Sequence, residues 1–237
     1  QNKATIFCAD SAYAILAKHN IKPDYVCMLE RTDFTAEFFK DRYEGIDERA
    51  LFILASLVHP KALSYLDQNK RSYMLVSKPS RMCLDFKLHL FGYLGGGPSV
   101  AYMNYSLAML LKHKNIILIG QDLAYDENGN SHPNDYKHGS NFESEEEYIE
   151  IMAYGGSGKV ATHSIWVYFK SFLEQIIYKN TFSITYNCTE GGARIEGSLE
   201  KPFKEVCEEL LIKDLDKPFK RLNALNKNKQ DELLLKA

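Results

Sequence analysis

This 237-residue sequence lacks three features: a large net charge, closely spaced cysteines and long apolar runs. The 29 basic and 31 acidic residues give a formal net charge of −2. A protein that coats nucleic acid needs a strongly basic surface, so nucleic acid is not expected as a partner. The longest apolar run, around residues 116–119, is far shorter than the roughly 20 residues that cross a bilayer. A membrane is therefore not expected as a partner either.

The five cysteines also exclude two classes of protein. They are odd in number, widely spaced and form no C-x-x-C pair. This pattern does not fit a disulfide framework or a structural zinc site, and it indicates reduced thiols in a cytoplasmic protein. The remaining composition, with 45% hydrophobic and 12% aromatic residues, is typical of a globular domain.

What the sequence does contain is a regular alternation of short apolar runs and longer amphipathic stretches. We predict strands at residues 5–9, 25–29, 50–55, 73–76, 116–120 and 182–186. We predict helices at residues 11–19, 35–42, 60–68, 99–113, 143–151, 163–179 and 202–211. Strands that are apolar on both faces and separated by helices indicate a parallel sheet with helices on each side. With right-handed crossovers, this predicts an α/β fold with a doubly wound, mostly parallel, Rossmann-like sheet.

Two domains follow from this pattern. Residues 1–200 are predicted to form the Rossmann-like domain, and residues 201–237 a helical C-terminal extension. The charged tail after Ile212 has a helical pattern and is interpreted as a covering helix pair or the start of a further helical domain.

Polar side chains follow the predicted strands where each strand ends. In open α/β sheets, ligands bind at the carboxyl ends of the strands. The residues at these ends combine acids, arginine, amides, hydroxyls and glycine, and we predict that they bind substrate: Asp10, Ser11, Glu30, Arg31, Gln121, Tyr125, Thr189, Gly191, Gly192 and Arg194.

A glycine run precedes the long helix predicted from residue 99. Gly96 and Gly97 let the backbone approach a ligand, and Ser99 can cap the helix, whose free N–H groups form an anion site. The alternative is a flexible loop with an ordinary cap, because the run matches neither the P-loop nor the G-x-G-x-x-G pattern. The glycine-rich stretch at residues 155–159 lacks P-loop spacing and is interpreted as a turn.

Three residues are candidates for the chemistry itself. Asp122 can bind a ribose hydroxyl or a metal or act as a base, and the alternative is a cap on its own loop. His132 can be a general base or an exposed loop histidine. Glu190 and Arg194 flank the glycine pair Gly191-Gly192. The guanidinium of Arg194 suits bidentate recognition of a carboxylate or phosphate. The alternative is that Glu190 and Arg194 form a structural salt bridge.

Four segments together resemble the central domain of the motility accessory factor (Maf) family, the flagellin glycosyltransferases of flagellated bacteria. They are Ala-Asp-Ser-Ala at 9–12 with Asn-Ile-Lys-Pro-Asp-Tyr-Val at 20–26, Gly-Gly-Gly-Pro-Ser-Val-Ala at 95–101, Ile-Gly-Gln-Asp-Leu-Ala-Tyr at 119–125, and Thr-Glu-Gly-Gly-Ala-Arg-Ile-Glu-Gly at 189–197. Family members carry a G-x-G-P-S-L motif one β-α unit before the first segment. We therefore expect this chain to lack its first β-α unit.

The resemblance implies a fold similar to that of bacterial sialyltransferases, acting in the cytoplasm before flagellin export. The implied donor is a CMP-activated nonulosonic acid, pseudaminic or legionaminic, and the implied acceptor is a Ser or Thr hydroxyl of flagellin, which links the activity to flagellar assembly and motility. No cofactor is required, although Mg²⁺ is compatible with the acidic strand ends.

The same interpretation assigns roles to the candidates. His132 is the first choice of base and Asp122 the second. Asp122 or Glu190 would stabilise the oxocarbenium ion, and Arg194 or Thr189 would bind the sugar carboxylate.

Two alternatives stay open. One is transfer of diphosphate from ATP to a hydroxymethyl pterin, an activity found in the same superfamily, with Asp122, Glu30 and Asp33 holding Mg²⁺. The other is a flagellin-binding module without catalytic activity.

Overall fold

The computed structural model describes residues 1–78, 80–95, 97–141, 148–221 and 223–236. The chain divides into two compact units: residues 1–96 with 214–237, and residues 97–213. The division predicted at residue 200 is a different one and stays a prediction. In the described part of the chain, every helix is too short or too polar to span a bilayer.

The first unit is built on a four-stranded parallel sheet. Strands β1 (Phe7–Ala9), β2 (Tyr25–Met28), β3 (Leu51–Ala55) and β4 (Tyr73–Val76) are hydrogen-bonded in that order. The helices that connect or follow them are α1 (Asp10–Lys18), α2 (Asp33–Ala36), α3 (Pro60–Gln68) and α4 (Arg81–Asp85), with 3₁₀ turns at Glu37–Phe39 and Leu88–Phe91. These strands, α1 and α3 lie where the sequence predicted them, to within a few residues. In place of the helix predicted at residues 35–42, the structure has the four-residue α2 followed by a 3₁₀ turn that ends at Phe39.

A buried polar group lies within the apolar core of the first unit. The Tyr13 and Phe52 rings meet edge to face at 5.2 Å. The Tyr13 hydroxyl donates to Asp47, whose carboxylate also pairs with Arg71 Nε at 3.0 Å. Arg71 in turn donates to the Phe39 carbonyl at 2.6 Å. Because each buried charge has a partner, this group is compatible with a packed interior.

The second unit contains a smaller parallel sheet and a hairpin. Its elements are α5 (Val100–Leu110), β5 (Asn115–Leu118), β6 (Ile149–Met152), β7 (Lys159–Thr162), α6 (Ser164–Lys179), β8 (Ile184–Asn187), β9 (Leu199–Glu200) and α7 (Phe203–Leu210). Strands β5, β8 and β9 pair in parallel, and β6 pairs with β7 in antiparallel. Buried Tyr105 ties α5 to β8 through its hydroxyl, 2.7 Å from Thr185 Oγ1.

One helix, predicted at residues 143–151, was wrong at its C-terminal end. Of residues 143–151, those up to 147 lie outside the described residues, and Ile149–Met152 is a strand. The run Ile149-Glu150-Ile151 alternates apolar and charged residues, which suits a strand, and the following glycine turn brings β7 back beside it. The interpretation of residues 155–159 as a turn agrees with this hairpin, because Gly155, Gly156 and Gly158 all have positive φ.

The C-terminal segment from residue 214 contacts the rest of the first unit through the Lys217 and Arg221 side chains. Lys217, with its side chain 3% exposed, pairs with Asp24, and Asp24 accepts from the Ile6 N–H at 2.9 Å. Arg221 donates to the Glu48 carbonyl at 2.7 Å. From residue 214 onward, α8 (Lys227–Lys236) is the only helix among the described residues. The α/β class with parallel strands, flanking helices and a helical C-terminal end is confirmed.

Candidate functional site

In the first unit, the ends of β1 and β2 place two carboxylates near each other. Asp10 begins α1 and is 4% exposed, and its Oδ1 accepts from the Ser11 N–H at 2.8 Å. Burial, with a smaller contribution from the charge of Glu30, raises the pKa of Asp10 to about 7 despite that hydrogen bond. Arg31 is exposed next to Glu30. Asp10 therefore changes its charge near neutral pH.

In the second unit, the ends of β5 and β8 are tied together side by side. The Cys188 N–H donates to the Leu118 carbonyl at 2.9 Å, which extends the pairing past the strand. The Gln121 N–H donates to Thr189 Oγ1 at 3.2 Å, and the Thr189 N–H donates to Asn187 Oδ1 at 3.2 Å. The structure thus brings together Gln121 and Thr189, two predicted substrate-binding residues.

The backbones of Asp122 and Gly192 approach each other closely. The Ala193 N–H donates to the Asp122 carbonyl at 2.7 Å. A Cβ atom on Gly192 would lie 2.4 Å from the Asp122 carbonyl oxygen, and Gly192 has a φ of +67°. Only glycine fits this position without a shift of the backbone. Asp122 as a whole residue is exposed. The protein around its carboxyl nevertheless removes part of the solvent, and this desolvation raises the pKa of Asp122.

Glu190 has a structural contact. Its Oε1 accepts from the Phe203 N–H at 2.8 Å, at the first residue of α7. A carboxylate at a helix N-terminus satisfies a free N–H group and interacts favourably with the helix dipole. Gly191, next to it, has open space where a Cβ would lie.

Arg194 lies over the glycine turn of the hairpin. Its Nε pairs with Glu196 at 3.0 Å, and its own N–H donates to the Met152 carbonyl at 2.9 Å. A Cβ atom on Gly156 would lie 2.1 Å from Arg194 Nη1, so this glycine leaves room for the guanidinium. The Gly155 N–H donates to Glu200 at 3.1 Å, which means that the turn already binds a carboxylate of the protein.

His132 belongs to an aromatic cluster. Its ring stacks on Tyr136 at 4.0 Å and an angle of 14°, and its Nδ1 lies 2.8 Å from Ser131 Oγ. Burial, together with nearby His138, lowers the pKa of His132. The imidazole is therefore neutral at pH 7 and able to accept a proton.

Tyr125 is buried at the centre of the same cluster. Its ring centroid lies 4.8 Å from that of Tyr148 and 5.0 Å from that of Trp166. Thr162 Oγ1 donates to the Leu123 carbonyl at 2.7 Å, and the Tyr125 N–H donates to the Ala161 carbonyl at 2.8 Å. Tyr125 thus anchors the loop after β5 through packing.

The start of α5 forms the cap that the sequence predicted. Ser99 Oγ accepts from the Tyr102 N–H at 3.3 Å. Gly97 has a φ of +47°, and a Cβ on it would lie 2.3 Å from the Tyr102 ring. Gly96, also predicted to bind substrate, lies outside the described residues.

The predicted site residues are divided between the units. Asp10, Ser11, Glu30 and Arg31 lie in the first unit, and the described others lie in the second. Among the residues that the structure describes, no three His, Cys, Asp or Glu side chains are placed to hold a metal ion.

Asn187, fully buried at the end of β8, orients Thr189 and was not among the predicted site residues. Its place at the carboxyl end of a parallel strand is the signal that would have identified it. Trp166, whose indole contacts both Tyr125 and His163, was not predicted either.

The first prediction concerns the charge of Asp10. Its raised pKa means that the native state holds a proton that the unfolded state loses, so this group lowers stability as pH rises from about 4 to about 7. Asp10→Asn should leave the free energy of unfolding nearly unchanged at pH 4.5. At pH 8 it should increase it by about 2–4 kcal/mol. Urea unfolding at both pH values measures this, with exposed Asp231→Asn as control. An equal effect of Asp10→Asn at both values would contradict the assignment.

The second prediction concerns the glycine pair. Gly192→Ala should lower the free energy of unfolding by about 1–3 kcal/mol, because its Cβ meets backbone and its φ is left-handed. Gly191→Ala is the matched control, since its Cβ would meet open space. Thermal unfolding of both variants measures the difference, and equal melting temperatures would show that the close approach to Asp122 does not exist.

Comparison with known proteins gives two matches. A family model described as 6-hydroxymethylpterin diphosphokinase MptE-like matches residues 1–128. The structure of the Maf glycosyltransferase from Magnetospirillum magneticum AMB-1 matches with a TM-score of 0.65 and 19% sequence identity. A search of curated proteins found no match.

The structural match covers 84% of this chain and 30% of that chain. It confirms the resemblance to the Maf family at the level of the fold. The family model covers more than half of the sequence, with residues 1–128 of 237. The chain therefore belongs to the family described as 6-hydroxymethylpterin diphosphokinase MptE-like, and its fold is that of a Maf glycosyltransferase.

Proposed function

We propose that this chain is the donor-binding core of a glycosyltransferase that transfers a nonulosonic acid, pseudaminic or legionaminic, from CMP to a Ser or Thr hydroxyl of flagellin. The observation that carries the proposal is the match of 84% of the chain to the Maf fold. The Maf-like segments at residues 119–125 and 189–197 support it, because their backbones are joined by the contact of Asp122 with Ala193 and Gly192.

The second unit offers groups for the sugar-transfer step. A nonulosonic acid carries a carboxylate, and the Nη edge of Arg194 suits bidentate recognition of it while Nε pairs with Glu196. As the bond from the sugar to CMP breaks, positive charge develops on the sugar. An ionised Asp122 would stabilise that charge. Because its pKa is raised, Asp122 would lose this capacity at a higher pH than an ordinary aspartate as the solution is acidified.

The acceptor hydroxyl needs a base. His132 is proposed for this role, because its lowered pKa keeps the imidazole neutral at pH 7. The hydroxyl proton would pass to His132 as the new bond from oxygen to sugar forms and CMP leaves with the electrons of the broken bond. Glu190 is the weaker candidate, since its carboxylate accepts from the Phe203 N–H.

Groups for the nucleotide are proposed in each unit separately. In the second unit, the free N–H groups at the capped start of α5, near Gly97 and Ser99, suit a phosphate. In the first unit, Asp10 with Ser11 suits a hydroxyl or an exocyclic amine, because a carboxyl with a pKa of about 7 can either donate or accept. CMP-sugar transfer of this kind needs no cofactor.

Diphosphate transfer from ATP to a hydroxymethyl pterin is the second candidate, and the family model over residues 1–128 favours it. In that reaction Mg²⁺ would be held by phosphate oxygens with a carboxylate, for which Glu30 in the first unit or Asp122 in the second is a candidate. Because one fold supports many activities, binding has to decide between the two candidates.

The third prediction is a pair of calorimetric titrations, with CMP and with ATP, each with and without Mg²⁺. We expect CMP to bind in the absence of Mg²⁺. Thr189→Val should weaken that binding because it removes the hydroxyl that accepts from the Gln121 N–H, whereas Thr189→Ser keeps the hydroxyl and should restore it.

Two other binding results would each favour one of the alternative functions. Binding of ATP only with Mg²⁺, without binding of CMP, would overturn the glycosyltransferase proposal in favour of the kinase. Binding of flagellin with no affinity for either nucleotide would favour the non-catalytic module.

A further inference from the structure

At the carboxyl end of β1, one carboxyl oxygen of Asp10 is buried without a partner. Asp10 is the first residue of α1 and is 4% exposed. Its Oδ1 accepts from the Ser11 N–H at 2.8 Å, whereas its Oδ2 has no hydrogen-bond partner among the described residues. A buried polar atom without a partner destabilises the folded state. A bound ligand that donates a hydrogen bond to Oδ2 would remove that cost.

A second carboxylate lies beside Asp10. Glu30 follows β2, the strand next to β1, and it is exposed. It is close enough for its charge to contribute to the raised pKa of Asp10. A metal ion needs more than two such groups, and the described residues contain no group of three His, Cys, Asp or Glu that could hold one. The two carboxyl groups are instead suited to a ligand that offers hydrogen-bond donors.

The number of donors separates the ligand groups that suit this pair. A hydroxyl has a single O–H donor, so it can donate to one carboxyl group only. The amino group of an aromatic ring has two N–H donors, one for Asp10 Oδ2 and one for Glu30. Cytosine carries such a group at N4, and aspartate and glutamate are the side chains that accept from it. Uracil has an acceptor, O4, at the same position.

We propose that Asp10 and Glu30 bind the exocyclic amino group of the ligand's aromatic ring, and that Asp10 selects cytosine over uracil in the nucleotide. The choice of cytosine rests on the proposed function, in which the donor is a CMP-sugar. A hydroxymethyl pterin also carries an amino group on its ring, so the alternative reaction would use the same chemistry.

The test is calorimetric titration of CMP and of UMP into the 237-residue chain at pH 8, where Asp10 is ionised. We expect CMP to bind about tenfold or more tightly than UMP, because uracil O4 would place an acceptor against a carboxylate. Asp10→Asn keeps an oxygen for the Ser11 N–H and replaces Oδ2 by an N–H donor. This variant should lose the preference for CMP.

A matched control is Asp231→Asn, which changes an exposed aspartate of the same unit and should keep the preference of the wild-type chain. Because Asp10→Asn is predicted above to stabilise the fold at pH 8, unfolding would not explain a lost preference. Circular dichroism of each variant checks this.

The preference for CMP should also depend on pH. Among the described residues, the other titratable groups whose charges interact with Asp10 are Glu30 and the thiols of Cys8 and Cys27. Burial raises the pKa of both thiols, which therefore stay neutral. Because Asp10 has a pKa of about 7, the ratio of the CMP and UMP affinities should fall as the pH is lowered from 8 to 6. The phosphate titrates in both nucleotides, so its effect cancels in the ratio, and in Asp10→Asn the ratio should not change.

The possible outcomes distinguish a failure of this proposal from a failure of the proposed function. CMP and UMP binding with equal affinity, or a preference that survives in Asp10→Asn, would overturn the role of Asp10 and leave the proposed function standing. Binding of a hydroxymethyl pterin but of neither nucleotide, weakened by Asp10→Asn, would support recognition of the amino group and overturn the choice of cytosine. The same pterin binding unchanged in Asp10→Asn would overturn both parts. If none of the three ligands binds, this proposal and the proposed function both fail.

Discussion

The close approach of two backbone segments, one after β5 and one after β8, is the constraint on which the candidate site depends. Gly192 lies so near the Asp122 carbonyl that a single methyl group would not fit, and Ala193 donates a hydrogen bond to that same carbonyl. This contact fixes where Asp122 leaves the strand, while Thr189 fixes Gln121 from the side. The contact also accounts for Gly192 in the sequence, because only glycine leaves the space that it needs, whereas Gly191 has open space at its Cβ position.

Three candidate site residues share one feature: burial changes the pKa of each in the direction that disfavours charge. It raises the pKa of Asp10 and of Asp122 and lowers that of His132. A carboxyl that titrates near pH 7 and an imidazole that stays neutral at that pH are groups suited to acid–base work. By contrast, Glu190 and Glu200 are engaged with backbone N–H groups, which gives them structural roles.

The sequence predicted most of the regular elements because their signals are local. The apolar runs of β2 and β4 and the Pro60 start of α3 fall where they were expected. The β6–β7 hairpin was missed because a stretch such as Ile149–Met152 is too short for periodicity to separate a strand from a helix. The contact of Asp122 with Gly192 agrees with the rule that parallel strands end at the same edge, but the sequence did not predict this pair. The contacts of Lys217 with Asp24 and of Glu190 with α7 join residues that are distant in sequence or in different elements, and no local pattern reveals them.

The fold by itself supports both a glycosyltransferase and a diphosphokinase, so the identity of the transferred group is the central question. Intact-mass spectrometry of flagellin after incubation with a CMP-nonulosonic acid and this protein answers it most directly. The account predicts flagellin heavier by whole nonulosonic acid residues. His132→Ala should slow their addition by about 10²–10⁴-fold, and exposed His19→Ala should not. The account would be contradicted if flagellin stayed unmodified while the same preparation converted ATP and a hydroxymethyl pterin to AMP and the pterin diphosphate.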